Sequence, residues 1–407
     1  KSEAVPPAAE GTNRESLVVE WLIIGGGIHG VHIAACLIGD ANIAPEQLCI
    51  VDPGERLLER WRACTDATGM THLRSPSVHH LDRQPFDLQD FAGRGKSSSR
   101  GLFAAPYNRP RLKLFNTHCE HVIERYHLDQ RHIRAKAISS TLDCEGVAVL
   151  LSDGTRVLAH KVVLAIGASH QPEWPAWAPR ESERVHHIFE PQFKGWPLER
   201  ERVIVVGGGI SGAQVALRLH KEGHSVHLVS RHPIRQHQFD SDSGWLGPKR
   251  MKGFGEESDL DKRRAMISEA RHRGSIPPDV LRRLHRARRR ESFQRHEDSI
   301  QDVREHEEGL SAMLTGGAEL EAQRILLATG FAAKRPGGSL IDELVTSAAL
   351  PCARCGYPIV DESLRWHPRI FVSGPLAELE LGPTSRNISG ARRAGERLVA
   401  AIKTQNA

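Results

Sequence analysis

The pattern Gly-x-Gly-x-x-Gly occurs twice, as Gly25, Gly27, Gly30 and as Gly207, Gly209, Gly212, with 182 residues between matching positions. Each copy follows an apolar, strand-like run, Leu17 to Ile24 and Val203 to Val206. Each opens a helical stretch, Val31 to about Ile38 and Ala213 to Lys221, and a second strand-like run comes next. Strand, glycine turn, helix and strand in this order form a βαβ unit. Its glycines allow a tight turn, let backbone N–H groups at the helix start approach a pyrophosphate, and let helix and strand pack closely. A repeat this long is a duplicated module rather than a solenoid. The expected class is therefore α/β, with two Rossmann-like dinucleotide-binding domains and a helical insert.

The two copies end differently. The first closes at Leu48–Val51 with Asp52, 22 residues past Gly30, where a carboxylate can accept both hydrogen bonds of an adenosine ribose. The second closes at Ser230-Arg231. An arginine there suits a 2′-phosphate, hence NADPH over NADH; the alternative is that Arg231 is a solvated surface charge. Two dinucleotide modules in one chain imply electron transfer between cofactors, and nicotinamide and flavin are the usual donor and acceptor. FAD is assigned to the first module, because Arg369–Val372 reads as a late strand and Gly374-Pro375-Leu376 can approach the flavin. NADPH is assigned to the second, with Thr329 and Gly330 at the end of a strand from Arg324.

These features place boundaries. Residues 1–15 are read as a disordered lead-in without a signal peptide's apolar middle. The FAD domain is expected over 16–190 and 315–407. The NADPH domain, with a helical insert over about 233–308, is expected over 191–314. A hairpin should turn at Asp153-Gly154, followed by a strand over Lys161–Ile166. Gln171 to Pro179 is rich in Pro and Trp and reads as a hinge.

Composition narrows the function classes. No run of 18 apolar residues is present, so no membrane helix is expected. Aromatics make up only 5%, which argues against base-stacking surfaces, and a net charge of +5 over 407 residues suits anionic cofactors as well as nucleic acid. No nucleic-acid partner is expected, and Arg286–Arg290 reads as a solvated helix face or a rim attracting anions. The 23 histidines show no metal-ligand spacing on one element, so no metal is expected. Seven scattered cysteines do not make a disulfide framework, and a reducing cytoplasm fits them best. Cys352-Ala353-Arg354-Cys355 has redox-motif spacing, which keeps a thiol/disulfide oxidoreductase as a rival enzyme. A flavoprotein that oxidises NADPH and oxygenates nothing is the other rival.

The motif order resembles class B flavin monooxygenases, and most of all their N-hydroxylating branch, which acts on lysine and ornithine. It consists of the two fingerprints, then Leu327-Ala328-Thr329-Gly330-Phe331, then Pro336. Gln323 stands where the family's late motif has Asp, and Phe331 where it has Tyr. The insert opening His237-Gln238-Phe239-Asp240 resembles that branch's substrate-binding insert. The resemblance implies that NADPH reduces FAD, that O2 forms a flavin C4a-hydroperoxide, and that a small nucleophile is oxygenated at nitrogen or sulfur. It implies no obligatory acid–base residue. Pocket candidates are His72 and Arg74, in the stretch Met70–Pro76, and Asp240; the alternative is that His72 and Arg74 only bond loop backbone. The lysine- and asparagine-bearing constellation of the amino-acid hydroxylases and the histidine linker of Baeyer–Villiger enzymes are both missing, so the substrate stays open.

Overall fold

The computed structural model describes residues 16–94 and 101–406; the expected lead-in, 1–15, lies outside them. The first βαβ unit forms as expected, from β1 (Leu17–Ile24), α1 (Ile28–Gly39) and β2 (Leu48–Asp52). Next come α2 (Glu59–Thr68), α3 (Asp87–Arg94), β3 (Phe103–Ala104), β4 (Arg109–Pro110) and α4 (Leu112–Arg125). The strands β5 (His132–Arg134), β6 (Ala137–Leu142), β7 (Val147–Leu151) and β8 (Arg156–Leu164) follow. The β7–β8 hairpin turns at the expected Asp-Gly. Its second strand and the strand expected separately at Lys161 are one continuous β8, because its first half pairs with β7 while its second half lies against the chain's end.

That chain end supplies α9 (Gly338–Ser347), β19 (Arg365–His367), β20 (Ile370–Val372), α10 (Glu378–Leu381) and α11 (Ile388–Asn406). Strand β20 joins β8 in parallel, giving the order β19-β20-β8-β1-β2-β5. Trp21, Leu22, Ile23, Ile50, Val163 and Phe371 are buried in its core. A run buried on both faces needs apolar residues at consecutive positions, as β1 shows.

The second unit has β10 (Arg202–Val206), α5 (Ile210–Glu222) and β11 (Ser225–Ser230). Its sheet is wholly parallel, in the order β14-β11-β10-β18-β9, with β9 (Val185–His187), β14 (Phe293–Glu297) and β18 (Arg324–Leu327). Two of the expected boundaries therefore move. Strand β9 belongs to the second unit although it precedes residue 190, and β18 belongs there although it follows 315. Each completes a row of backbone hydrogen bonds that the sheet would otherwise leave open. One face packs Val203, Val205 and Leu228 under α5 and α8 (Pro278–Ala287). The other packs Ile204, Val229 and Ile325 on the antiparallel sheet of β15 (Ile300–His306), β16 (Gly309–Leu314) and β17 (Glu319–Ala322).

The insert is narrower than the sequence suggested. Helix α8 buries Val280, Leu284 and Ala287, one apolar stripe, in the second unit's core. The basic run at its end is exposed. What projects is α6 (Pro248–Glu256) and α7 (Leu260–Ala270), held at the base by the pairing of β12 (Arg235–Gln236) with β13 (Ser275–Ile276). Trp245, Phe254 and Ile267 there pack on Ala353, Tyr357 and Leu379 of the chain's end. The expected hinge is a paired double crossing. Glu173 N donates to Gly330 O at 3.0 Å, and Ala332 N donates to Gln171 O at 2.8 Å.

Buried histidines tie these pieces together as neutral rings. His32 bonds Leu81 O through Nδ1 at 2.8 Å, so its Nε2 accepts from the Cys36 thiol at 3.4 Å. Burial drives His32 and His80 down to about 3 and His187 to about 4, from an ordinary 6.5. The unfolded chain binds protons these rings refuse, so their stabilisation is complete above about pH 6.5 and is lost progressively as pH falls toward about 4 for His187 and about 3 for His32 and His80. Melting curves should show a drop of roughly 5 °C or more across that window. A melting temperature flat from pH 6.5 to 4.5 would contradict the neutral burial.

Candidate functional site: two glycine turns and the returning chain

In both modules the first and third glycines are structural. Gly25 has φ +113°, and a Cβ there would sit 2.6 Å from Ala165 O. Gly207 repeats this with φ +143° and 2.4 Å to Ala328 O. A Cβ on Gly30 would lie 1.8 Å from Gly25 O, and one on Gly212 would lie 2.1 Å from Gly207 O. The helix thus rests directly on the end of its own strand. The middle glycines differ. A Cβ on Gly27 meets nothing within 4 Å, although Gly27 is the N-cap of α1 and no side chain caps that helix. The space in front of these N–H groups is open to an anion. Gly209 also caps an uncapped helix, and a Cβ built there would lie 3.5 Å from Gly274 Cα.

The acid of the first module is held in place. Asp52 Oδ2 accepts from Gly26 N at 2.7 Å and Oδ1 from Gly54 N at 2.9 Å, leaving the carboxylate further lone pairs for a ligand. A Cβ on Gly26 would lie 2.9 Å from Asp52 Cβ, and one on Gly208 would lie 3.0 Å from Ser230 Cβ. Ser230 is therefore the positional counterpart of Asp52, so the second module carries a hydroxyl where the first carries a charge. Arg231 follows it, exposed and unpaired among the described residues. Thr329 Oγ1 accepts from His187 Nε2 at 3.1 Å and donates to Glu173 O at 2.5 Å. Because His187 Nδ1 accepts from Phe189 N, the proton of this neutral ring sits on Nε2. Thr329 and Gly330 (φ +84°) thus join the two crossings at the edge of the second sheet. Gln323 accepts from Arg202 N at 2.8 Å, and Phe331 stacks on Phe189 at 4.7 Å.

The chain's end closes the first module. Gly374, Pro375 and Leu376 are buried in a single 3₁₀ turn, and Gly374 packs on the ring of His29 in the first turn of α1, 3.7 Å from a Cβ built there. Ser385 Oγ donates to Gly374 O at 2.6 Å. Below it, fully buried Glu378 is paired with Arg386, at 2.7 and 2.9 Å, and with Arg264 of the insert. These arginines hold its carboxyl below the usual range against the opposing effect of burial.

The three pocket candidates do not form one group. His72 borders an open cavity of about 880 Å³ with Met70, Thr71, Arg111, Lys113 and Arg283. Burial, and then Arg109, lowers its pKa. Arg74 is a clamp, donating to Gln238 O and His237 O at 2.7 Å and to Ser275 Oγ at 2.9 Å. Asp240 accepts from Asn387 Nδ2 at 3.2 Å, next to the start of α11. Cys352 and Cys355 are free thiols on a hairpin whose turn closes with Gly356 N to Ala353 O at 2.8 Å. Burial raises the pKa of Cys352, and Cys355 faces Arg264 and solvent. Sequence reasoning passed over His29 and Ser373. The one available signal was a histidine inside Gly27-Ile28-His29-Gly30, a polar residue in an otherwise apolar helix start.

The family described as pyridine nucleotide-disulphide oxidoreductase matches residues 22–262, more than half of the chain. The chain belongs to that family. A second family, FAD dependent oxidoreductase, matches residues 202–351. That match covers the second module. Both modules share one βαβ pattern and differ in carrying Asp52 in one and Ser230-Arg231 in the other.

The fold is similar to that of the ornithine hydroxylase PvdA from Pseudomonas aeruginosa, at TM-score 0.77 and 14% identity, with 96% of this chain and all of that one covered. It is equally similar to the ornithine N-hydroxylase KtzI of Kutzneria sp. 744, with reduced FAD, NADP+ and L-ornithine, at 0.76 and 15% over the same shares. The bacillithiol disulfide reductase of Bacillus cereus aligns at 0.63 and 19%, covering 95% of this chain and 99% of that one. Among curated sequences, an uncharacterized CzcO-like oxidoreductase of Geobacillus kaustophilus is 32% identical over 105 residues, 26% of this chain and 30% of that protein. The match thus spans under a third of that relative's length.

The site fits FAD. An open, uncapped helix start, an aimed ribose acceptor and a buried imidazole nitrogen without a partner (His29 Nε2) lie at one edge of the first sheet. Because Gly27 has free space before it, Gly27→Val should leave the melting temperature within a few degrees while FAD uptake falls at least tenfold. Gly30→Val should lower stability itself, through the clash with Gly25 O. Loss of stability in Gly27→Val without loss of FAD would contradict the assignment.

Proposed function

We propose that the protein is an NADPH-dependent FAD monooxygenase that uses O2 to oxygenate a small molecule at nitrogen or sulfur. The observation carrying this reading is the pair of uncapped helix starts, one faced by a carboxylate and the other by a serine and a free arginine. FAD bound at the first would accept a hydride and pass its electrons to O2. The chain's own residues do the rest. The N–H groups of α1 hold the pyrophosphate, and Asp52 holds the ribose. Gly374, Pro375 and Leu376 wall the cofactor from water behind α1. The N–H groups of α5 hold the second pyrophosphate, and Arg231 selects the 2′-phosphate. The paired crossings at Thr329 and Gly330 fix the nicotinamide-bearing module against the flavin-bearing one.

The substrate's approach is assigned to the cavity beside His72, which both units border. Its lining carries the cations Arg62, Arg111, Lys113 and Arg283 against the carboxylates Asp66 and Glu120, of which Glu120 is paired with Arg62, and this excess of positive charge favours a substrate carrying an acidic group. NADPH consumption, corrected for peroxide release, should rise with some amines or thioethers bearing a carboxylate and yield the oxygenated product. Peroxide release equal to NADPH consumed across the panel would favour an oxidase instead.

Arg231→Ala should weaken NADPH about 10- to 100-fold, the range for a lost charge-assisted hydrogen bond, and leave NADH nearly unchanged. Equal losses would remove Arg231 from the site. The thiol reading is tested by replacing Cys352 and Cys355 together with Ser. A thiol oxidoreductase needs a thiolate, whereas the raised pKa of Cys352 disfavours one. NADPH oxidation should stay within a few-fold of wild type. Its complete loss in a protein that still binds FAD would favour the thiol enzyme.

A further inference from the structure

We propose that His29 contacts the flavin: its Nε2 hydrogen-bonds the polar edge of the FAD ring system, and Ser373 on the returning chain aims it. This rests on the first module being the FAD site. His29 stands in the first turn of α1, two residues after the open Gly27, and is only 9% exposed. Its Nδ1 is 2.8 Å from Ser373 Oγ, which is fully buried between β20 and Gly374. Its Nε2 is buried with no partner. The carbonyls of Arg386 and Asn387 lie close enough to favour a protonated ring, yet neither reaches hydrogen-bond geometry. Thr384 Oγ1, on the turn leading to them, is also buried and unpartnered. Buried polar atoms are nearly always satisfied, so two orphans around one junction point to a polar ligand there.

The ring system is the part of FAD that suits this place. The pyrophosphate's N–H donors lie back at Gly27, while His29 leaves the helix toward Ser373, Gly374 and the start of α11. Pro375 and Leu376 add buried apolar surface on the same turn. Burial keeps the imidazole neutral, lowering its pKa to about 4. A neutral ring offers one donor and one acceptor, which matches the alternating C=O and N–H groups of a flavin's pyrimidine edge better than a phosphate. The Ser373 hydroxyl can donate to Nδ1 or accept from it and so sets which role Nε2 takes.

The test separates ring from pyrophosphate by titrating flavin-free protein with FAD and with ADP, which shares the adenosine and pyrophosphate but lacks the ring. His29→Phe should weaken FAD about threefold to tenfold, leave ADP unchanged, and alter the shape of the bound flavin's visible absorption band. His29→Asn should recover part of the loss, and Ser373→Ala should show a smaller, equally FAD-specific one. If His29→Phe does not fold, Ser373→Ala decides by the same FAD-to-ADP ratio. Equal losses for both ligands would make His29 structural and overturn the proposal, as would unchanged FAD affinity. Wild-type protein that binds ADP but no FAD would overturn the FAD reading and this proposal with it, which the two ligands tell apart from a failure of His29 alone.

Discussion

The contact of each helix with the end of its own strand governs this molecule. Gly30 against Gly25 O, and Gly212 against Gly207 O, leave no room for any side chain. Because the helix sits this close, its free N–H groups project just beyond the sheet's carboxyl edge, where a dinucleotide's charge can reach them. The same contact occurs twice, so the two cofactor sites share one design and differ in the residues that end the second strand. A single position, Asp52 in one copy and Ser230 in the other, then divides their chemistry.

The rest of the chain builds around that pair. The first module is incomplete until the chain's last 40 residues return, adding β20 beside β8 and laying Gly374 on the ring of His29. The second module is inserted between those two parts and reached by two crossings that bond each other. The projecting helices then tie back through Arg264 to Glu378, a carboxylate with no exposure, so the insert and the turn at Gly374–Ala377 are held by one buried charge cluster. Removing one member would leave uncompensated charge in the interior, which is more costly than the intact pair is stabilising.

Much of this was legible in the sequence because it depends on local spacing. The glycine turns, Asp52, Ser230-Arg231 and the late Thr329-Gly330 are each set by a few adjacent residues. The features that were not legible depend on long-range pairing. Nothing local tells β9 or β18 which sheet to join, since a strand of three or four residues fits either; partners more than a hundred residues away decide. Helix α8 looked like part of a polar insert because of its arginines, yet its three buried residues put it in the core. For Arg74 the sequence left a pocket residue and a bond to loop backbone both open, and the folded insert supplies the second, with two loop carbonyls and Ser275 Oγ as acceptors. His29 was hidden for a related reason, as its partner Ser373 lies 344 positions along the chain.

On the proposed function the two glycine turns do different work, the first holding flavin and the second admitting the reductant. The most direct measurement is the colour and bleaching of Gly209→Val under anaerobic NADPH. A Cβ there faces the nucleotide's approach and the Gly274 loop at 3.5 Å, and it touches nothing of the first module. The account predicts yellow protein with wild-type flavin content that NADPH fails to bleach while dithionite still does. Colourless protein, or full bleaching by NADPH at the wild-type rate, would contradict it.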